Sequence, residues 1–225
     1  MRGSTGERRR NAAVAGPVEE NGAGSHHSGT MPDSTLTAAD REAEAAALFR
    51  QLIRAAPETV AGWIRPALPP EGSSETLGDR VGETTPEGEA ILPRLRETPG
   101  DRLLRDRPGK PAELLKAGLL LLHGDLDGSH RIAQAYEGDR DADAWHALVH
   151  RLEGDYGNSD YWWRRVGEHP IFAEFADSAG VEGWDPQDFT DRYRRAMQGG
   201  DEEERRAVRS IQAAEFAWLL AHGAG

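Results

Sequence analysis

The side chains that could do chemistry are concentrated in one stretch of the sequence, residues 123–170. Five of the eight histidines lie in it. At its centre, His146, His150 and Glu153 follow one another at i, i+4 and i+7, the spacing that places side chains on one ridge of an α-helix. Apolar residues between them, beginning with Trp145, form the neighbouring stripe. The ridge is therefore predicted to lie at the edge of buried surface, where imidazole and carboxylate groups can act together.

This ridge is compatible with three kinds of chemistry. His146 and His150 could bind a divalent metal ion, with Glu153 or Asp155 as a third ligand. Their spacing is that of the zincin histidines, but Ala147 stands where the zincin glutamate would be, so a zincin protease is not expected. A neutral histidine could instead act as a general base oriented by Glu153, or all these groups could form a closed structural network. The sequence leaves these alternatives open, and it leaves the metal and the cofactor unknown.

A second predicted helix supplies further polar side chains to the same region. Asn158, Tyr161 and Arg165 are spaced at i, i+3 and i+7, and the Gly154-Asp155 turn folds their helix back against the first. Arginines near this face could hold an anionic substrate. The predicted catalytic residues are His146, His150 and Glu153. The predicted ligand-binding residues are His130, Arg151, Asn158, Tyr161, Arg164, Arg165 and His169.

The same residues carry a resemblance to a known family. The segment from Trp145 to Pro170 resembles the pattern W-H-x-x-x-H-R-x-E-x-D-x-x-N-x-x-Y-W-x-R-R-V-G-x-H-P of a family of uncharacterised bacterial and fungal proteins. The similarity reaches back to the region of His130. The use of 25 Arg against two Lys fits a GC-rich bacterial source. The resemblance names no activity, but it implies that one set of residues belongs together: His146, His150, Arg151, Glu153, Asn158, Tyr161, Arg164, Arg165 and His169.

The pattern of apolar residues predicts an all-α fold. Residues 36–56 are predicted to form a first helix, which Thr37 caps together with Asp40 and which ends before a proline. From Pro111 onward, apolar residues recur at helical spacing, and Gly and Asp residues mark the turns. We therefore expect a helical bundle built from αα-hairpins, with residues 36–222 as a single domain.

Two of the predicted hairpins repeat one another at an offset of 30 residues, since 155 − 125 = 30. At this offset Gly124-Asp125 aligns with Gly154-Asp155, and apolar positions on both sides align as well. Each copy is predicted to be a helix, a Gly-Asp turn and a helix, an irregular version of the tetratricopeptide-type hairpin. Two hairpins of an ordinary helical bundle would show the same pattern.

Two stretches fall outside this helical pattern. Residues 1–35 contain almost no large apolar side chain and are predicted to be a disordered tail, with Met31 as good a candidate for the translation start as Met1. Residues 57–110 hold eight of the 13 prolines, so no long helix is expected there. Because apolar residues such as Trp63 recur in this segment, we predict an irregular strap across the core with one or two helical turns.

Composition limits the classes of function. The net charge of −12 argues against a nucleic-acid partner, the lack of cysteine excludes disulfides and thiolate chemistry, and no apolar run is long enough for a membrane partner. We expect a cytoplasmic protein with a pocket for a small polar or anionic molecule, in which a histidine could act as acid or base. The alternative is a non-enzymatic helical-hairpin module for a protein or peptide partner.

Overall fold

The computed structural model describes residues 37–179 and 183–225. This part of the chain forms ten α-helices and no β-strand, which confirms the predicted all-α class. The helices are α1 (Ala38–Ala55), α2 (Glu58–Ile64), α3 (Pro86–Glu97), α4 (Lys110–Leu122), α5 (Leu126–Ala135), α6 (Arg140–Glu153), α7 (Tyr156–Val166), α8 (Pro170–Ala179), α9 (Pro186–Gly199) and α10 (Glu202–Ala224). The predicted tail of residues 1–35, with the candidate start at Met31, lies outside the described residues.

The first and last helices pack along one another and begin at the predicted caps. Thr37 Oγ1 accepts a hydrogen bond from the N–H of Asp40, and the carboxylate of Asp40 accepts one from the N–H of Thr37, so the capping box is complete. Asp201 caps α10 by accepting the N–H of Glu204 at 2.9 Å. The contact between α1 and α10 joins the two ends of the described chain. None of the described helices is both long enough and apolar enough to cross a bilayer.

Two consecutive αα-hairpins, α4 with α5 and α6 with α7, carry the candidate site. Their order also brings α5 against α6. The close approach of α6 to α4 requires Gly118, because a Cβ there would lie 2.5 Å from Cζ2 of buried Trp145. The Trp145 ring also packs edge-on against Phe216 of α10, with the ring centroids 5.7 Å apart. These contacts fix the position of α6 in the bundle. The assignment of the two hairpins to the tetratricopeptide type stays a prediction.

The proline-rich segment over residues 57–110 is more helical than predicted. It contains α2, two 3-10 turns (Arg65–Ala67 and Gly100–Arg102) and the 12-residue α3, so the expectation of no long helix was wrong. Pro86 occupies the first turn of α3, where the N–H it lacks is not needed. Pro93 lies inside the helix and removes one hydrogen bond from its ladder. Buried leucines of α3 pack against the core, and this burial stabilises the helix despite Pro93.

Candidate functional site

Two turns of closely similar geometry bring the predicted site residues together. Gly124 and Gly154 have φ angles of 78° and 79°, in the left-handed region that glycine adopts most readily. The following residue, Asp125 or Asp155, donates its N–H over 2.9 Å to the carbonyl five residues earlier. Its carboxylate then caps the next helix. Each hairpin therefore folds back tightly, and α5 of the first hairpin lies against α6 of the second.

Three imidazole rings from α5 and α6 form the centre of the site. His130 lies on α5, and His146 and His150 lie one turn apart on α6. Nε2 of His146 is 2.8 Å from Nε2 of His130, and the rings of His146 and His150 are stacked with centroids 4.9 Å apart. One nitrogen from each of the three rings lies within 4.8 Å of the other two. We refer to His130, His146 and His150 as the three-histidine cluster.

Glu153 and Asn158 orient the ring of His150. Nδ1 of His150 is 3.0 Å from Oε2 of Glu153, and because an ionised carboxylate only accepts, Nδ1 carries the proton and donates it. The Nε2 lone pair then accepts a hydrogen bond from the side-chain amide of Asn158 at 3.1 Å. The ring is thus held in the tautomer whose Nε2 can act as a metal ligand or a general base.

His146 is the most buried member of the cluster, with 2% of its surface exposed. Its ring lies flat on that of Trp162, with the centroids 3.8 Å apart. Its Nδ1 is buried and has no hydrogen-bond partner among the described residues. Burial lowers the pKa of His146 to about 3, helped by the positive charges that His130, His150 and Arg165 can carry. The ring is therefore neutral near pH 7.

Tyr161 and Arg165 lie beside the cluster, next to Trp162. The Arg165 guanidinium is 4.8 Å from the centre of the Trp162 ring, and it donates to the Tyr161 hydroxyl at 3.2 Å. It also pairs with Asp143 at 3.3 Å and with Glu137 at 3.1 Å. Two carboxylates already neutralise Arg165, so the geometry favours a positioning role for this side chain over the predicted binding of an anion. Tyr161 is 45% exposed.

Arg151 is directed away from the cluster, which corrects the prediction that it lines the ligand site. Its side chain is fully buried and forms an ion pair with Glu215 of α10 at 2.5 Å. Nε of Arg151 donates to the Thr190 hydroxyl at 3.1 Å, and the guanidinium lies over the ring of Phe189. Adjacent residues on a helix point about 100° apart. Arg151 therefore enters the core between α6, α9 and α10, while His150 faces the cluster.

His169 belongs to a different group of side chains, which corrects its predicted place in the ligand site. Nδ1 of His169 accepts the N–H of Ile171 at 3.3 Å, and Nε2 donates to Oδ1 of Asp141 at 2.8 Å. His222 of α10 approaches the same carboxylate oxygen at 3.5 Å. Spacing along the chain gave no signal for this group, because His222 is far from His169 in the sequence. Together with Asp141 and His222, His169 forms a second group of side chains whose possible metal-ligand atoms lie within 4.8 Å of one another.

Arg164 is also not brought to the cluster. It is exposed on α7, and its charge acts on the carboxyl of Asp160, whose pKa is raised by burial and by Asp191 of α9. Arg164 thus lies toward α9, whereas Asn158 and Arg165 face α6. Sequence reasoning assigned Trp162 to the core and missed that its ring covers one face of His146. The apolar stripe of α7 predicted that Trp162 is buried, but it did not identify His146 as the residue on which Trp162 packs.

The fold gathers most of the predicted residues at one place and excludes the others. Those gathered are His130, His146, His150, Glu153, Asn158, Tyr161 and Arg165, and their functional roles stay predictions, as does the family resemblance. Those directed elsewhere are Arg151, Arg164 and His169. The gathered groups offer imidazole nitrogens for a metal ion, and an oriented His–Glu pair for proton transfer. Comparison of the chain with protein-family models, with curated proteins and with solved structures finds no match.

Proposed function

We propose that the three-histidine cluster binds a divalent transition-metal ion such as Zn²⁺, and that this ion holds a small polar or anionic ligand. One observation carries the proposal: imidazole nitrogens from two adjacent helices lie within 4.8 Å of one another. Imidazole is a preferred ligand for zinc, copper and nickel ions. Three protein ligands leave a fourth tetrahedral position for water or substrate, as in catalytic zinc sites.

The distances support this proposal because small side-chain movements would complete the site. Two nitrogens bound to one tetrahedral Zn²⁺ lie about 3.3 Å apart, given bond lengths of about 2.0–2.1 Å. The Nε2 atoms of His130 and His146, now 2.8 Å apart, would separate by about 0.5 Å. The widest separation in the cluster, at most 4.8 Å, would close by no more than about 1.5 Å. His130 is only partly buried, so its ring has room to rotate.

The surroundings of the cluster also favour a metal ion. Metal ligation requires neutral imidazole, and His146 is neutral near pH 7. Glu153 accepts the Nδ1 proton of His150, the arrangement in which a carboxylate orients a ligating histidine and raises its basicity. Tyr161 is exposed beside the cluster, where its hydroxyl could contact a ligand bound to the ion.

A metal-free acid–base site is the second candidate function. The observation that favours it is the His150–Glu153 hydrogen bond, since a carboxylate that holds Nδ1–H leaves Nε2 as the basic atom. In this case the hydrogen bond from Asn158 to Nε2 of His150 would have to break before a substrate proton could reach Nε2, because the Asn158 amide now occupies the Nε2 lone pair. The metal site requires the same hydrogen bond to break. The two candidates therefore differ in whether an ion is required.

Metal titration of the full chain separates the two candidates. Protein prepared without a histidine tag and stripped with EDTA is titrated with Zn²⁺ and Co²⁺ by calorimetry. We expect one tightly bound ion per chain, a loss of more than about 100-fold in affinity for His146→Ala, and a loss of about tenfold for Glu153→Gln. His222→Ala, which removes an imidazole outside the cluster, is the matched control and should bind as the wild type does.

Two results would contradict the metal proposal. One is a wild-type protein that binds neither ion at micromolar concentrations, which would leave the acid–base site as the better explanation of the cluster. The other is an affinity for the metal ion that is retained in His146→Ala and lost in His222→Ala. That result would assign the ion to the group around Asp141. Circular dichroism of each variant checks that the fold is retained.

A further inference from the structure

A cavity lies away from the three-histidine cluster, where α2, the end of α3 and the turn after it meet. Its volume is about 560 Å³, and it opens to solvent. Three arginines, Arg94, Arg102 and Arg105, line it together with Trp63 and Glu97. The cavity is thus rich in guanidinium groups, although the chain as a whole has a net charge of −12.

Among the residues that the structure describes, the three arginines of this cavity have no carboxylate partner. Within the described part of the chain, no ion pair or hydrogen bond joins Arg94, Arg102 or Arg105 to an acidic side chain. By contrast, Arg96 on the same helix pairs with Asp125. Three guanidiniums against the single carboxylate of Glu97 leave a formal charge of +2 in the lining, since 3 − 1 = 2. Such a concentration of unpaired positive charge attracts anions.

Arg94 is held in a geometry that leaves its hydrogen-bond donors free. Its guanidinium carbon is 4.9 Å from the centre of the Trp63 ring, which is buried and so fixes the position of the charge. The N–H groups of the Arg94 side chain form no hydrogen bond with another described residue, so they can donate to a ligand. These donors match the oxygens of a phosphate or carboxylate, and an arginine already placed over a buried ring loses little further freedom when it binds them.

The turn that carries Arg102 is also firmly placed. A Cβ at Gly100 would lie 2.9 Å from backbone atoms of α4, so the turn packs directly on that helix. The Thr59 hydroxyl donates to the carbonyl of Leu103 at 3.0 Å, and the Thr98 hydroxyl donates to the carbonyl of Arg94 at 2.8 Å. The first two contacts join the turn to α4 and α2, and the Thr98 hydrogen bond closes the end of α3, so the backbone that carries Arg102 is preorganised.

We propose that this cavity binds a small molecule that carries phosphate groups. The tetrahedral, multiply charged phosphate group can accept from two or three guanidiniums at once, and a doubly charged ligand would balance the formal charge of the lining. The volume suits a pyrophosphate or a small organic phosphate. The site does not depend on the three-histidine cluster, and a failure of either proposal leaves the other intact.

Calorimetric titration with inorganic pyrophosphate tests this proposal on the full chain. We expect one site per chain whose affinity falls with added salt, because exposed arginines are screened. Arg94→Gln and Arg102→Gln should each weaken binding at least about tenfold. Arg54→Gln removes the same charge from an exposed position on α1, outside the cavity, and should leave the affinity unchanged. Arg94→Lys keeps the charge but loses the planar fork, and should bind with intermediate affinity.

Three outcomes would overturn the proposal. The first is an absence of binding at millimolar pyrophosphate and low salt. The second is an equal loss of affinity in Arg54→Gln and Arg94→Gln, which would show attraction by overall charge and no defined site. The third is binding of citrate as tight as that of pyrophosphate, which would replace phosphate with carboxylate as the recognised group. Thermal melts of the variants confirm that each one folds.

Discussion

His150 and Arg151 are neighbours in the chain, and their side chains enter different environments. The imidazole of His150 joins the three-histidine cluster, where Glu153 and Asn158 orient it. The guanidinium of Arg151 is buried against Glu215, on a separate face of α6. One residue contributes to a candidate site and the next stabilises the bundle, so substitutions at the two positions should have distinct consequences.

Breaking the Arg151–Glu215 pair should destabilise the protein strongly. Arg151→Met leaves the carboxylate of Glu215 buried without a counter-charge, and we expect the free energy of unfolding to fall by about 3–5 kcal/mol. The double variant Arg151→Met/Glu215→Leu removes both charges and should recover most of this loss. Urea unfolding measures both values. A change below about 1 kcal/mol in the single variant would mean that the pair is not buried as described.

The neutral state of His146 should make the metal-free protein sensitive to acid. The pKa of His146 is lowered from an ordinary value of 6.5 to about 3 in the folded state, so between these pH values the unfolded chain binds a proton that the folded chain does not. The contribution of His146 to stability is therefore complete above pH 6.5 and is lost as the pH falls toward 3.

Urea unfolding in EDTA at pH 7.5 and pH 4.5 measures this effect. His146 alone should account for a loss of roughly 2–3 kcal/mol over that interval. His146→Gln should show a smaller loss, since the amide does not titrate. Equal pH dependence in the two proteins would show that His146 is protonated in the folded state.

At the scale of the elements, the two Gly-Asp turns position the helices of the site. Their φ angles and their hydrogen bonds agree closely, yet their surroundings differ. A Cβ on Gly154 would meet no atom within 4 Å, whereas one on Gly124 would lie 2.8 Å from the backbone of Glu83 and Thr84. The first hairpin thus packs against the segment before α3, and the second turn lies free of such contact.

This difference predicts unequal costs for the same substitution. Gly154→Ala should lower the free energy of unfolding by about 1 kcal/mol, because it places a Cβ on a residue with left-handed backbone angles. Gly124→Ala should lower the free energy of unfolding by at least about 2 kcal/mol, because it adds a clash with the backbone of Glu83 and Thr84 to the same conformational strain. Thermal or urea unfolding of the two variants gives the comparison. Equal losses would mean that the contact at Gly124 relaxes freely.

At the scale of the molecule, the proposed metal site joins two hairpins. His130 belongs to the first hairpin and His146 to the second, so an ion bound to both would cross-link them. A ligand present at 100 times its Kd stabilises the folded state by about 2.7 kcal/mol. For a domain of this size, that corresponds to a rise in Tm of roughly 5–10 °C.

Differential scanning fluorimetry with and without Zn²⁺ measures this rise. His130→Ala leaves α6 intact and removes only the ligand from α5, so we expect it to abolish most of the shift in Tm. A shift of the same size in His130→Ala would mean that the ion does not bridge α5 and α6. The alternative function, a hairpin module for a protein or peptide partner, stays a prediction.

Much of the helical framework could be predicted from the sequence because its signals are local. Thr37 with Asp40 marked the start of α1, the Gly-Asp pairs marked the turns, and the spacing of His146 and His150 placed them on one ridge of a helix. Capping, left-handed glycines and helical periodicity depend on residues within a few positions of one another. The same signals were misleading for α3, since proline density is a local penalty that burial of Leu92 and Leu95 against the core can exceed.

Only the tertiary structure decided which polar groups meet. It placed His130 against His146, sent Arg151 to Glu215, and joined His169 to the distant His222. It also brought three unpaired arginines to one cavity beside Trp63. The amino-acid sequence determined the helices and the composition of their faces. The partner that each face meets depends on how the helices pack, and that packing is set by the fit of the whole core, which no short stretch of sequence encodes.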